Sequence, residues 1–329
     1  MGRDARGGIL ATALTSQGRV IDERPTRFGR LRESTEHAHD GAVLRERLKE
    51  DGYVLLRDVL DKEILLSVQQ VVAEELHRLD AIDPDGDRSA CLFPARRGLS
   101  LYRVASDVSQ AERHTLTHQP ALCAIFGSIF GEEARPLDYT WPRIAGPGCG
   151  EQPHSDWVYM CRGTSRLYTA WIPLMDLPLS YGPLMVLEDS HRDNPHTRRY
   201  LQMDADKLGY FDAPRLKHGA LVHGGRYSRR PDRVCLEFGT RWLSTDYRLG
   251  DVMIFDPRNV HATLDNHSRG FRLSIDVRYQ PANDPVDPRF VGQHPIGHGA
   301  RGATIFDHAK RAVNAVRRQI SRQPAPGTG

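Results

Sequence analysis

Three residues of the sequence could together hold a metal ion. His154 and Asp156 are separated by one residue, and His261 lies far downstream. Side chains two positions apart in an extended chain point to the same side, so one strand end can supply both His154 and Asp156. Two imidazoles and one carboxylate on one face of a metal suit Fe(II) and leave coordination positions open. The pattern therefore predicts a three-ligand Fe(II) site.

A fourth residue could bind an organic acid beside that metal. The open positions could take O2 and a bidentate 2-oxo acid, whose far carboxylate would need a fixed cation. Arg272 follows His261 by eleven residues, and its planar guanidinium matches a carboxylate better than an ammonium does. Thr263 comes two residues after His261 and could offer a hydroxyl to the same carboxylate.

Helices are predicted ahead of these residues. Apolar residues within 64–76 recur at helical spacing, and Asp61 could cap the helix that they form. A second helix is predicted for residues 120–130 and would end at Gly131. These helices would flank the elements that carry the candidate ligands.

Short strands are predicted around the candidate ligands. Glycine and proline separate several apolar segments between about 137 and 280, which is typical of a β-sandwich or barrel. The alternation is clearest in 271–279, where apolar residues occupy one face and Arg272 lies on the other. The polar face would then point inward, towards the metal.

The composition excludes several other classes of protein. Of 329 residues, 39% are hydrophobic and 26% are charged, which is ordinary for a globular protein with a sizeable core. The net charge of +3 comes without a basic stripe interleaved with aromatics, so nucleic-acid binding is not expected. No apolar run reaches the roughly 18 residues of a membrane span. Five cysteines without a C-x-x-C pair predict a reducing, cytoplasmic location.

With these residues in place, the chain resembles the phytanoyl-CoA dioxygenase family of Fe(II)/2-oxoglutarate oxygenases, which includes the ectoine hydroxylases. The resemblance covers roughly residues 40 to 282 and depends on several short motifs in the same order. The matching segments are Gly52-Tyr53-Val54-Leu55, Pro153-His154-Ser155-Asp156, Gly182-Pro183-Leu184, Asp189-Ser190-His191, Gly250-Asp251-Val252-Met253-Ile254-Phe255, and His261 with Arg272.

The resemblance implies a fold and a set of site residues. The expected fold is mainly β with flanking helices, built on a double-stranded β-helix (jelly-roll, cupin-like) core. The implied iron ligands are His154, Asp156 and His261, and the implied 2-oxoglutarate anchors are Arg272 and Thr263. Two further residues, Trp171 and Tyr139, are weaker candidates for the cofactor site. The implied cofactors are Fe(II), 2-oxoglutarate as co-substrate, and O2.

The chain divides into a core and three additions. Residues 1–40 are polar and Arg-rich, which predicts a mobile or loosely docked N-terminal arm, and 41–300 form the oxygenase domain. Within that domain, 192–249 is a long polar segment that we expect to act as a lid. Residues 301–329 are expected to form a helix and a disordered tail.

Three residues near the ligands could contact a substrate. Trp157 and Tyr159 follow Asp156 and could line the substrate pocket, although core packing would explain them equally well. Arg143 could reach the substrate or co-substrate, and the alternative is an ordinary salt-bridged arginine.

One other motif needs an interpretation. A second His-x-Asp, beginning at His191, opens the polar segment without an Arg-bearing strand to accompany it, and we interpret His191 as structural. It belongs to Asp189-Ser190-His191, where the family usually has Gly-Ser-His.

These observations predict an Fe(II)- and 2-oxoglutarate-dependent dioxygenase that hydroxylates a C–H bond of a small molecule, in specialised metabolism. A halogenase is disfavoured, because Asp156 occupies the position where a small residue would admit a halide. Two alternatives remain open: a cupin-like Zn or Mn enzyme that does not use 2-oxoglutarate, and a non-catalytic jelly-roll binding protein. The first would not need an arginine eleven residues after His261, and the second would not need a complete set of three metal ligands.

Overall fold

The structure is a computed structural model that describes residues 13–78, 81–82, 110–206 and 225–298. The helix expected near the C terminus, the tail that follows it, and the middle of the expected lid lie outside the described residues. No helix in the described part of the chain is long and apolar enough to cross a membrane.

Seven α-helices are found among the described residues, and the longest of them come early in the chain. They are α1 Gly41–Glu50, α2 Lys62–Arg78, α3 Gln110–Thr117, α4 Pro120–Phe130, α5 Trp157–Met160, α6 Pro195–Arg198 and α7 Pro231–Glu237. Asp61 accepts a hydrogen bond from the amide of Glu63 at 2.9 Å, which confirms it as the cap of α2. Gly131 ends α4 with a left-handed φ of 71°, as predicted.

Twelve strands are found within the same described ranges, and most are short. They are β1 Thr15–Ser16, β2 Arg19–Val20, β3 Phe28–Arg30, β4 Tyr53–Leu56, β5 Ala134–Pro136, β6 Trp141–Ala145, β7 Tyr168–Pro173, β8 Leu184–Leu187, β9 Trp242–Ser244, β10 Val252–Phe255, β11 His261–Thr263 and β12 Arg272–Pro281.

The strands form two sheets that face each other, beside the small β1–β2 hairpin. The larger sheet has the order β4-β10-β7-β12-β5, with β6 also paired to β12, and the smaller has the order β11-β8-β9-β3. Side chains from both sheets, including Trp171 and Leu243, form one buried cluster between them. Helices α1 to α4 pack on the outer face of the larger sheet, where Phe126 of α4 stacks on Tyr279 of β12, whereas α7 packs against the smaller sheet.

The segment before α1 is docked on the core, so the expectation of a loose arm is wrong for its described part. Strand β3 pairs in parallel with β9 and extends the smaller sheet. Asp265 accepts hydrogen bonds from the hydroxyl of Thr15 at 2.6 Å and from the amides of Gln17 and Gly18, each at 2.8 Å. These polar contacts join residues that are distant in sequence and follow no periodic pattern. They therefore could not be predicted from the sequence.

The polar segment 192–249 is not a single insertion. Its described residues contain α6, a 3-10 turn at Tyr200–Gln202, α7 and β9. Strand β9 pairs with β8 and is fully buried, so it is part of the core. The segment available as a lid is therefore shorter than the sequence suggested.

Candidate active site

The three predicted metal ligands lie together in the structure. Asp156 Oδ1 is 3.8 Å from His154 Nε2 and 3.7 Å from His261 Nε2. Each of the three residues is buried, and one ligand atom from each lies within 4.8 Å of the others. Among the described residues, this is the only group of three or more His, Cys, Asp or Glu with that geometry.

Backbone pairing brings His154 and His261 to each other. The amide of each donates to the carbonyl oxygen of the other, at 2.9 and 2.8 Å. The loop after His154 is fastened at the same place, because the Ser155 hydroxyl and the Trp157 amide both donate to Pro257 O, at 2.7 and 2.8 Å. Two segments far apart in sequence therefore form one rigid ligand platform.

Both histidines are held in the tautomer that a metal requires. His154 Nδ1 lies 2.8 Å from Gln152 O, and His261 Nδ1 lies 3.0 Å from Asn259 O. A carbonyl oxygen only accepts, so each Nδ1 carries the proton and each Nε2 keeps its lone pair. Burial lowers the pKa of His154 and lowers that of His261 to about 4, so both rings are neutral at ordinary pH.

Asp156 remains an anion although it is buried. Burial alone would raise its pKa, but the Arg278 guanidinium holds that pKa well below its usual range. Arg278 Nη2 donates to Asp156 Oδ2 at 2.7 Å, and the hydroxyl of Thr169 donates to the same oxygen at 2.9 Å. Two neutral imidazole nitrogens and one carboxylate oxygen are a donor set that fits Fe(II).

The two predicted 2-oxoglutarate anchors lie in the interior of the β core. Arg272 is 2% exposed, on the inward face of β12, and its Nη1 donates to Gly182 O at 2.6 Å. Thr263 is buried at the end of β11, and its hydroxyl accepts a hydrogen bond from the Glu151 amide at 2.7 Å. The geometry thus places a fixed cation inside the core, as the alternation of 271–279 predicted.

The weaker cofactor candidates are found in aromatic packing. The ring of Trp171 lies 4.7 Å from that of Tyr247, within the cluster between the sheets. The ring of Tyr139 lies 4.6 Å from Trp141 and 5.9 Å from Phe290. These contacts give both residues a packing role, and their contact with a cofactor stays a prediction.

The three substrate candidates differ in their distance from the ligands. Tyr159 presents an edge to the His154 ring, with centroids 6.3 Å apart. The guanidinium of Arg258 lies over Trp157, 4.4 Å from its centroid. Arg143 forms an ion pair with Asp276 at 2.7 Å, which is the salt-bridged alternative. Tyr159 is therefore in ring contact with a candidate ligand, and Arg143 is close enough to Asp156 for their charges to interact.

His191 has the structural role assigned to it. Its Nε2 lies 3.1 Å from Lys49 O, and its ring packs on Gly52, where an added Cβ would be 2.4 Å from the ring. Asp189, two residues earlier, has a left-handed φ of 61°, a conformation that glycine adopts without strain. The glycine that the resemblance led us to expect at position 189 would adopt this φ without that strain.

Three site residues were missed by the sequence analysis. Arg278 and Thr169 contact Asp156 as described above, and the ring of His298 lies 5.6 Å from that of Tyr159, which faces His154. The alternation of 271–279 places Arg278 on the same face as Arg272, which was the available signal. His298 lies in a Gly- and Pro-rich segment that carries no such pattern.

Comparison with known proteins identifies the family of the chain. The family model for phytanoyl-CoA dioxygenase (PhyH) matches residues 48–274. The 1-deoxypentalenic acid 11-beta-hydroxylase of Streptomyces exfoliatus is 26% identical over 257 residues, which cover 74% of this chain and 82% of that protein. The Streptomyces arenae enzyme of the same name is 25% identical over 260 residues, with the same coverage.

Solved structures show the same fold. The alpha ketoglutarate dependent carbocyclase SnoK from nogalamycin biosynthesis aligns with a TM-score of 0.52 and 18% identity, covering 85% of this chain and 94% of its own. EctD from S. alaskensis aligns with a TM-score of 0.50 and 16% identity, covering 89% and 96%. The predicted fold class, a jelly-roll core with flanking helices, is confirmed.

The fold and the buried triad together define a 2-oxoglutarate-dependent dioxygenase, with Fe(II) as its cofactor. Within that class, the chain belongs to the phytanoyl-CoA dioxygenase (PhyH) family. This membership decides against the two alternatives left open by the sequence, a metalloenzyme that does not use 2-oxoglutarate and a non-catalytic binding protein.

Proposed function

We propose that the enzyme hydroxylates a C–H bond of a small molecule in specialised metabolism, with His154, Asp156 and His261 as the iron ligands. The observation that carries this assignment is the position of Asp156 Oδ1, within 3.8 Å of both histidine Nε2 atoms. The two Streptomyces relatives are named as hydroxylases of a small organic acid, which supports the reaction type.

The protein's own residues orient the reactants. Bound iron, with 2-oxoglutarate and O2, supplies the oxidising chemistry that converts C–H to C–OH. His154 and His261 offer neutral imidazoles because their Nδ1 protons are fixed on carbonyl oxygens. Three protein ligands leave the other metal positions open for the co-substrate and O2.

Arg272 and Thr263 are the proposed anchors for the distal carboxylate of 2-oxoglutarate. Arg272 is buried on the same inward face of β12 as Arg278, which contacts the ligand Asp156. An ion pair in this interior is little screened by water, so it would hold the co-substrate firmly. Tyr159, beside His154, is the proposed wall of the substrate pocket.

The described ends of the polar segment are proposed as a cover over the ligand loop. The Tyr200 hydroxyl accepts from the Ser155 amide at 3.0 Å and donates to Gly225 O at 2.6 Å. The Tyr227 amide donates to Pro153 O at 2.8 Å. Both ends therefore contact the loop that carries His154, which is where a lid would act.

Cysteine usage supports a reducing cytoplasm as the proposed location. Four of the five cysteines lie in the described part of the chain, and all four are free thiols.

The test of the function begins without oxygen. Adding 2-oxoglutarate to the Fe(II)-loaded protein under anaerobic conditions is expected to produce a weak visible charge-transfer band. Screening small molecules for stimulated succinate release then identifies the substrate class. A folded, iron-loaded protein that gives no such band would contradict the proposal.

A further inference from the structure

The inner face of β12 carries charges that the proposed chemistry does not yet use. Arg278 is 1% exposed, and its Nη2 lies 2.7 Å from Asp156 Oδ2 and 3.5 Å from Asp276 Oδ2. Asp276 in turn pairs with Arg143 at 2.7 Å. Positive and negative groups therefore alternate from Arg143 to the candidate iron ligand.

Register places the two donors to Asp156 side by side. Arg278 of β12 and Thr169 of β7 are cross-strand partners in the larger sheet. Both are buried, and both donate to Oδ2 of Asp156, at 2.7 and 2.9 Å. A slip of one residue in this pairing would turn one of the donors to the helix side, so their convergence is specified by the sheet.

The two oxygens of Asp156 therefore have different surroundings. Oδ2 accepts both hydrogen bonds, whereas Oδ1 faces the Nε2 atoms of His154 and His261 at 3.8 and 3.7 Å. A carboxylate whose second oxygen is held by two donors is not free to rotate and chelate a metal through both oxygens. One-oxygen binding keeps a coordination position open beside the two histidines.

The surroundings of Arg278 indicate that its hydrogen bond to Asp156 is the reason for an arginine at this position. Its Nε and Nη1 are buried without a hydrogen-bond partner among the described residues, and its guanidinium lies 3.9 Å from the centroid of Trp141. Burying unsatisfied donors is unfavourable. Arg278 makes one strong hydrogen bond, the charge-assisted bond to Asp156, and this bond offsets the cost of burying the guanidinium.

We infer that Arg278 and Thr169 are positioning residues that fix Asp156 for binding a metal through Oδ1 alone. The inference depends on the proposed assignment of His154, Asp156 and His261 as metal ligands. The orientation of the Asp156 carboxylate is then set by residues outside the triad, on two neighbouring strands of the larger sheet.

The test uses Co(II) as the probe, titrated anaerobically into metal-free protein and followed by its visible absorption. Thr169→Val preserves shape and removes only the hydroxyl, and we expect roughly 2- to 10-fold weaker binding. Its spectrum at saturating Co(II) is expected to differ from wild type, because one donor instead of two then holds the carboxylate. Thr169→Ser restores a hydroxyl and should recover both properties.

Arg278→Met removes the stronger donor, and we expect roughly 10- to 100-fold weaker Co(II) binding. The matched control is Arg57→Met, which breaks an ion pair of the same length, 2.7 Å, between a 20% exposed Arg57 and the buried Asp251, away from the triad. The control should bind Co(II) like wild type. In the double variant of Arg278 and Thr169 the losses should not multiply, because both donors serve one oxygen.

The outcomes separate the two proposals. Wild-type protein that binds no Co(II) would overturn the metal-site assignment and this inference with it. Wild-type binding that is unchanged in Thr169→Val and Arg278→Met would overturn the inference alone. An equal loss in Arg57→Met would also overturn it, because the effect would then be general. If Arg278→Met does not fold, the Val and Ser variants of Thr169 decide the question.

Discussion

The two faces of β12 are both buried, but different forces stabilise them. The outward face packs apolar side chains against the helices, and the inward face carries polar and charged side chains within the core. The outward residues are Leu273, Ile275, Val277 and Tyr279, and the inward residues are Arg272, Ser274, Asp276 and Arg278.

This difference determines how each face responds to substitution. On an apolar face, the stability lost on substitution grows with the apolar area that is removed. Removing one methyl group therefore lowers stability only a little and leaves the metal site intact. A buried charge depends on a specific partner, and removing one member leaves the other unpaired. Conservative changes on the outward face should therefore lower stability without affecting ligand binding, whereas changes on the inward face should alter ligand binding.

The largest effect is expected for Asp156, the partner of the inward face. Asp156→Asn keeps the shape but removes the anionic ligand, so metal affinity should fall by more than roughly 100-fold, beyond the usual loss of an outer-shell partner. Succinate formation should then fall to background. Isothermal titration with Co(II) and a succinate assay measure both effects.

Asp156→Ala provides the comparison for that variant. It also leaves Arg278 without its 2.7 Å partner, so we expect an additional loss of about 3–5 kcal/mol in the free energy of unfolding. Urea denaturation of both variants measures this difference. Near-normal turnover in folded Asp156→Asn would exclude the carboxylate as a ligand.

Arg272→Ala is expected to have the next largest effect, a loss of 2-oxoglutarate affinity. Losing one member of a buried ion pair typically costs about 2–5 kcal/mol, which corresponds to roughly 30-fold or more weaker 2-oxoglutarate binding. Co(II) affinity without 2-oxoglutarate should change little, because Arg272 bonds to Gly182 O and not to the triad. Equilibrium binding of 2-oxoglutarate to the Co(II)-loaded variant is the measurement.

Arg272→Lys separates charge from geometry at the same position. An ammonium keeps the charge but cannot reproduce the planar fork, so it should recover only part of the affinity. If Arg272→Ala binds 2-oxoglutarate as tightly as wild type, another residue anchors the co-substrate.

A conservative change on the outward face should have a smaller and different effect. Ile275 is fully buried against the helices, and Ile275→Val should lower the free energy of unfolding by about 0.5–1.5 kcal/mol. Co(II) and 2-oxoglutarate affinities should stay at wild-type values. A loss of ligand affinity without a loss of stability would show that the two faces are not independent.

The features of the site that follow from the two-residue period of a strand could be predicted from the sequence. Alternation identified which face of β12 turns inward, and the two-residue spacing placed His154 and Asp156 together. The hydrogen bonds from Arg278 and Thr169 to Asp156 were not predictable, because they depend on strand register between distant segments. Strand β9 is three residues long, which is too short to display a period within a polar segment.

The smallest effect should come from Ser274, and its sign differs from that of the other substitutions. Its hydroxyl is buried, between Arg272 and Asp276 on the inward face, without a hydrogen-bond partner among the described residues. Removing an unsatisfied hydroxyl relieves a desolvation cost, so Ser274→Ala should raise the free energy of unfolding of the ligand-free protein by up to about 1 kcal/mol. Urea denaturation without and with 2-oxoglutarate and Co(II) measures the effect. A gain that disappears when ligands are bound would show that the hydroxyl serves the co-substrate, whereas a loss in the ligand-free protein would mean that the inward face satisfies its polar groups internally.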